Sequence, residues 1–231
     1  MMIILITGDR KGIGRYLSEY YLEKGMTVIG CSRSETDLKH KNYEHFYLDV
    51  SDEKAVKKMI LFVVEKYKKI DYLINNAGIA SMNHSLLTPL SVVEKIFRTN
   101  VFGTFLFCRE VAKIMSKNKF GRIINFSTVG VPFRLEGEAI YTASKAAIEM
   151  LTKILAKEFA NMNITVNAVA PTPAETDLIK NVPKDKIQNI LRKQAINRFS
   201  KYEDVLNVIE FFINNKSDMI SGQTIYLGGI S

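Results

Sequence analysis

The sequence predicts an α/β protein, a doubly wound parallel sheet of about seven strands with helices on both faces. Three observations carry this. Apolar runs of strand length alternate with helix-period stretches along the chain. The first run ends in a glycine-rich turn that opens a helix, and 231 residues suffice to bury the core of one such domain, expected over 1–231.

The opening run, Met2-Ile3-Ile4-Leu5-Ile6, leads into Thr7-Gly8-Asp9-Arg10-Lys11-Gly12-Ile13-Gly14 and then an amphipathic stretch through Tyr16, Leu17, Tyr20 and Tyr21. This is strand, turn, helix. Glycines at Gly-x-x-x-Gly-x-Gly spacing permit the tight turn, let backbone N–H groups approach a pyrophosphate and allow close helix packing, while the helix N-terminus favours negative charge. Gly25 closes that helix as a plausible cap residue. Further strands are expected at 26–31, 44–48, 70–75, 121–126, 163–169 and 223–227. Helices are expected at about 12–24, 52–67, 90–116, 139–161 and 202–214, with Thr88, Pro89 and Ser91 offering starts for the central one. Prolines at 171, 173 and 183 break the pattern before a polar helix-like run over 184–194.

Tyr141-Thr142-Ala143-Ser144-Lys145 places a tyrosine and a lysine four apart on one helix face. A free phenol titrates near ~10, and a neighbouring ammonium is expected to lower that value toward proton-transfer chemistry at neutral pH. With the glycine turn, Asp71-Tyr72-Leu73-Ile74-Asn75-Asn76-Ala77-Gly78, Asn100 and the segment from Pro171 to Thr176, this pattern resembles the short-chain dehydrogenase/reductase family over essentially the whole chain. The resemblance implies a Rossmann-like fold. It leaves only the fifteen residues between Arg33 and Asp49 for the helix that relatives carry there, so that helix must be short or degraded.

The same resemblance implies that Tyr141 is the general acid and base, that Lys145 tunes it and holds the nicotinamide ribose, and that the backbone of Asn100 positions a water linking lysine to solvent. The fourth catalytic group, normally serine, falls on Thr128 when counted back from Tyr141 and on Ser127 when counted from Gly130; Thr128 is preferred. Its hydroxyl offers the same donor and acceptor as serine. Gly8, Asp9, Arg10, Lys11, Gly12 and Ile13 would hold the coenzyme phosphates, Asp49 and Val50 would flank adenine, and Asn76, Ala77 and Gly78 would meet the adenosine ribose. Pro171, Thr172, Ala174 and Thr176 begin the loop that closes over nicotinamide. Thr172 stands where the family has glycine, which implies an altered loop start.

Ser32 and Arg33 follow the second strand. An acidic residue at the place of Ser32 would bind a ribose 2′-hydroxyl and repel a 2′-phosphate; Ser32 removes that repulsion, and Arg33 and Lys11 supply cationic donors. The expected coenzyme is NADP(H), with NAD(H) less favoured.

The formal charge is +8, but Lys54, Lys57, Lys58, Lys66, Lys68 and Lys69 lie along one helix and its end without interleaved aromatics, which reads as a solvated surface rather than a nucleic-acid site. Two cysteines, Cys31 and Cys108, and three scattered histidines, His40, His45 and His84, imply neither a disulfide framework nor a metal site. No apolar stretch approaches the roughly 18 residues of a membrane span, and the first residues lack a basic leader, so the expectation is a cytoplasmic enzyme. The expected activity is NADPH-dependent reduction of a ketone or aldehyde to an alcohol, or the reverse, with a 3-oxoacyl thioester first among substrates. Sugar, polyol or small-ketone turnover is the alternative within enzymes, and a silent NADP-binding sensor or scaffold the alternative outside them. A homotetramer or homodimer is expected from the small and apolar residues Ala143, Ala146, Ala147, Ile148, Leu151 and Leu155 on the tyrosine helix.

Overall fold

The computed structural model describes residues 2–174 and 184–230. Seven parallel strands form one sheet in the order β3-β2-β1-β4-β5-β6-β7. They are β1 (Ile3–Thr7), β2 (Thr27–Ser32), β3 (Tyr43–Tyr47), β4 (Tyr72–Asn75), β5 (Gly121–Phe126), β6 (Ile164–Ala170) and β7 (Thr224–Tyr226). The order reverses between β1 and β4, and in open parallel sheets ligands bind beyond the strand C-termini at such a point.

Helices cover both faces because the central strands are apolar on both sides; Ile3 to Ile6 are all buried. Against one face pack α2 (Glu53–Tyr67), α4 (Thr104–Asn118) and α6 (Ala139–Phe159), through Val56, Val63, Phe107, Val111 and Leu155. Against the other pack α1 (Gly12–Glu23) and α8 (Tyr202–Ile213), through Leu17, Tyr21, Val205, Ile209 and Phe212. Each such fully buried side chain contributes about 1.5–3 kcal/mol. Local signals set the ends: the Asp52 carboxylate accepts from the backbone N–H groups of Lys54 and Ala55 at the start of α2, and Gly25, at φ +76°, turns the chain after α1. The remaining helices are α3 (Leu90–Phe97), the short α5 (Gly130–Phe133) and α7 (Lys184–Arg192).

One expectation needs correction, and a second is met in its extreme form. The central helix is not continuous: α3 and α4 are separated by a π-helical stretch, Arg98–Gly103. Its widened turns accompany the use of the Asn100 side chain outside the helix, described below. Gly103 lets this stretch press on Val50, to which an added Cβ would come within 2.6 Å. Between β2 and β3 there is no helix at all. The connection is instead tethered to α1 by Arg15, whose Nη1 reaches the Asp37 carboxylate at 2.5 Å and the Thr36 hydroxyl at 3.4 Å.

Candidate active site

The glycine turn is shaped by contact with the end of β4. Gly8 has φ +70° and donates its N–H to the Cys31 carbonyl at 2.8 Å. A Cβ on Gly14 would lie 2.2 Å from the Gly8 carbonyl oxygen, so the first turn of α1 can approach the loop only without a side chain. Asn76 Nδ2 donates to the carbonyls of Thr7 and Gly8, each at 3.0 Å, and the Ala77 N–H donates to the Thr7 hydroxyl at 3.0 Å. Arg10 and Lys11 are exposed, whereas the Asp9 side chain is fully buried beside Gly30, which leaves its backbone for a ligand.

Beyond the ends of β2 and β3, a cleft of about 250 Å3 is lined by Arg33, Asp49, Ser51, Ser91, Glu94, Lys95, Arg98 and Thr99, so that three basic side chains share it with two acidic ones. Val50 is buried against Gly103, while the Asp49 carboxylate accepts from both the N–H and hydroxyl of Ser51 at 2.8 Å. Lys95 and Arg98 escaped the sequence reading although Arg98 stands two residues before Asn100; their approach to Arg33 depends on how α3 packs across the strand ends. The Ser32 hydroxyl donates to the Ser34 carbonyl at 2.7 Å and so helps shape the turn that presents Arg33. Glycines that leave room for a phosphate, a helix N-terminus and the three basic side chains Arg33, Lys95 and Arg98 fit a phosphorylated dinucleotide.

The second cluster lies beyond β5. Asn100 is buried and fastens the segment after Gly78: its Oδ1 accepts from the Ile79 N–H and its Nδ2 donates to the Ile79 carbonyl, both at 2.9 Å. The same Nδ2 reaches the Ser144 hydroxyl at 3.0 Å, one residue from Lys145. Lys145 Nζ donates to the Phe126 carbonyl at 2.7 Å, and burial lowers the lysine pKa to about 8.

Tyr141 departs from the expected electrostatics. Burial, aided by the negative charge of Glu138, raises its phenol to about 12, while a hydrogen bond from Thr128 pulls in the opposite direction. The lysine ammonium sits 6.0 Å from the ring centroid and is held by Phe126, so shared helix face does not make it the dominant influence on the phenol. Tyr141 is consequently protonated at neutral pH, suited to donate a proton.

Ser127 and Thr128 point to different partners. The Ser127 hydroxyl donates to the buried Glu149 carboxylate at 2.5 Å, and Glu149 also accepts from the Tyr226 hydroxyl at 2.7 Å. Thr128 Oγ1 accepts from the Gly130 N–H at 3.2 Å, which directs its own proton toward Tyr141. Thr172 is buried, with its hydroxyl 2.7 Å from that of Ser200, and Ala174 bridges to Ser200. The backbone of Thr172 is not left-handed, which is how threonine is accommodated at a place expected for glycine. Pro171 accepts from the Val129 N–H at 3.3 Å, joining the loop start to the β5 end; Thr176 lies outside the described residues.

A family model described as short chain dehydrogenase matches residues 2–187. The chain is 34% identical to a 3-oxoacyl-acyl-carrier-protein reductase of Thermotoga maritima, with 98% of this chain and 96% of the relative covered. It is 30% identical to the protein of the same name from Escherichia coli strain K12, at the same coverage. Among solved structures, ElxO with NADP bound superposes with a TM-score of 0.89 at 29% identity, covering 98% of this chain and 96% of that one. A 4-hydroxyisoleucine dehydrogenase complexed with NADH also gives 0.89, at 28% identity over 99% and 98% of the two chains. With the sheet order, the glycine turn and the tyrosine–lysine helix in place, the chain belongs to the short-chain dehydrogenase family and is an oxidoreductase.

Proposed function

We propose that the protein is an NADPH-dependent carbonyl reductase, with 3-oxoacyl thioesters as the first substrate class. The observation that carries this reading is the placement together of the Tyr141 phenol, the Thr128 hydroxyl that bonds it and the Lys145 ammonium fixed on the Phe126 carbonyl beyond the end of β5. The reductases named above at 30–34% identity support the thioester reading. NADPH, when bound, supplies the hydride. Tyr141 would give its proton to the carbonyl oxygen, Thr128 would orient that oxygen, and Lys145, fixed on the Phe126 carbonyl, would hold the nicotinamide ribose with its ammonium. Asn100, through Ile79 and Ser144, would keep the wall next to Lys145 in register. The glycine turn would seat the pyrophosphate, and Arg33, Lys95 and Arg98 would meet the phosphorylated adenosine end.

The likeness to 4-hydroxyisoleucine dehydrogenase supports a second reading, turnover of a small hydroxylated substrate. Mixing the protein with NADPH and a panel of acetoacetyl thioesters, small ketones and sugars, and following loss of the reduced-nicotinamide absorbance, separates these substrate classes. Thioester reduction should be fastest. Consumption of NADPH with none of the panel would refute the reductase reading.

Assembly belongs to the same proposal. Phe102, Phe105, Met150 and Ile154 are exposed on the α4 and α6 sides, with Ala143 and Ala146 continuing the stripe at helical spacing. Such a self-complementary apolar face supports a homodimer or homotetramer. Light scattering should return a multiple of 26.2 kDa; a monomer mass would reject it. Among the described residues no helix is long and apolar enough to cross a membrane, which accords with the proposed cytoplasmic location.

A further inference from the structure

One buried charged cluster takes no part in the reduction derived above. Asp9, in the glycine turn, is 0% exposed, and its carboxylate occupies space that exists only because Gly30 lacks a side chain; a Cβ there would fall 1.6 Å from Asp9 Oδ2. That oxygen accepts from the Tyr43 hydroxyl and faces His45 Nδ1 at 2.9 Å. On the far side of the ring, His45 Nε2 faces the Ser34 carbonyl at 3.0 Å and the Ser32 hydroxyl at 3.4 Å. The Ser32 proton is already committed to the same Ser34 carbonyl.

Nδ1 also lies 3.2 Å from the Tyr43 hydroxyl, whose proton goes to Asp9, so both ring nitrogens of His45 face acceptors. A neutral imidazole has one N–H and would satisfy only one of them, whereas the imidazolium satisfies both. The ring is 8% exposed, so an unmade bond would carry a desolvation cost. The turn it grips contains Arg33, which lines the cleft together with Lys95 and Arg98.

Resting on the proposed NADPH reading, we infer that His45 is a specificity-determining positioning residue: as an imidazolium it ties the glycine turn to the Ser32–Ser34 turn and adds a fixed positive charge behind the 2′-phosphate site, making preference for NADPH over NADH fall as the ring loses its proton. The groups facing it are Asp9 from the turn after β1, Tyr43 from β3, Ser32, Ser34 and Glu35 from the end of β2, and Arg15 from α1, which acts on Tyr43. Burial works against the charged ring, but Asp9, the Ser34 carbonyl and Glu35 outweigh it and hold its pKa above the ordinary histidine value. The transition is consequently expected above about pH 6.5.

The test compares NADPH and NADH dissociation constants by calorimetry from about pH 7 to about pH 9.5. A free 2′-phosphate titrates near ~6 and is essentially constant there. Lys145 titrates in this range but meets a ribose common to both coenzymes, so its effect cancels in their ratio. The native ratio should fall about fivefold or more, a coupling of ordinary size. His45→Gln, which keeps a donor without the charge, should show a low, flat ratio with NADH affinity unchanged. Asp9→Asn should move the native transition to lower pH, a displacement that mere packing would not cause. An unchanged ratio and pH profile in His45→Gln would overturn the inference. So would ring nitrogen resonances showing that the native imidazole loses its proton at or below the ordinary ~6.5, a measurement independent of whether the variants fold. Failure to bind either coenzyme would instead remove the reductase reading itself, while the ring resonances would still report the protonation state of His45.

Discussion

The glycine turn and the tyrosine helix both stand beyond the C-terminal ends of the strands, and they are constructed by different means. At the turn the decisive contacts are backbone ones: Gly8 against Cys31, Gly14 against Gly8, and Asn76 holding two turn carbonyls. At the helix they are electrostatic, with burial and Glu138 raising the Tyr141 phenol and burial lowering Lys145. Steric requirements of the first kind admit one residue type and leave a mark in the sequence. A proton balance depends on burial and on neighbours such as Glu138 and Thr128, and a four-residue spacing does not contain it.

The largest effect that sharpens this contrast is expected from Tyr141→Phe. Turnover should fall by about a thousandfold, within the range assigned to general acid catalysis, while calorimetry returns a nearly native NADPH affinity because the turn is untouched. Gly14→Ala should do the reverse. Its Cβ has no room below the Gly8 carbonyl, so overpacking should destabilise the fold by about 1–3 kcal/mol and weaken coenzyme binding, with a thermal melt and a titration as the checks.

A smaller effect distinguishes neighbouring hydroxyls. Thr128→Ala should lower kcat by about tenfold to a hundredfold, and Thr128→Ser should restore most of it. Ser127→Ala should chiefly lower the melting temperature, since it leaves the buried Glu149 carboxylate short of a donor. Equal losses of kcat in the two alanine variants would break the assignment. Smaller again is the pH response of kcat/KM for reduction, which reports groups of the free enzyme. It should decline above about pH 8 as Lys145 loses its proton, and Lys145→Arg should remove that limb because guanidinium stays charged.

Much of the architecture was legible because strands buried on both faces are continuous apolar runs and α1 begins at a glycine turn. The interruption at Arg98–Gly103 was not, since its residues continue a helical pattern and the tie between Asn100 and Ile79 that accompanies it runs across the site. The missing helix after β2 was only half visible: its shortness was counted, but the tether from Arg15 to Asp37 is a tertiary contact. The contact of Thr128 with Tyr141 was reachable by counting back along the chain, whereas His45 read as an isolated histidine and its contact with Asp9 was not legible. Its only trace was an acid at Asp9 and a glycine at Gly30, two residues that acquire meaning when β1, β2 and β3 lie side by side.

The central claim is that burial and Glu138, rather than the neighbouring lysine, set the Tyr141 proton, so the phenol meets a carbonyl in its acid form. Selective tyrosine labelling, with the Tyr141→Phe variant to assign the resonance, allows the phenol to be titrated directly in the free protein. Tyr141 should remain protonated past pH 10 and titrate at about 12, with Glu138→Gln moving that value down by a modest amount. A phenolate forming well below the free-phenol value of ~10 would contradict it and return control of the proton to Lys145.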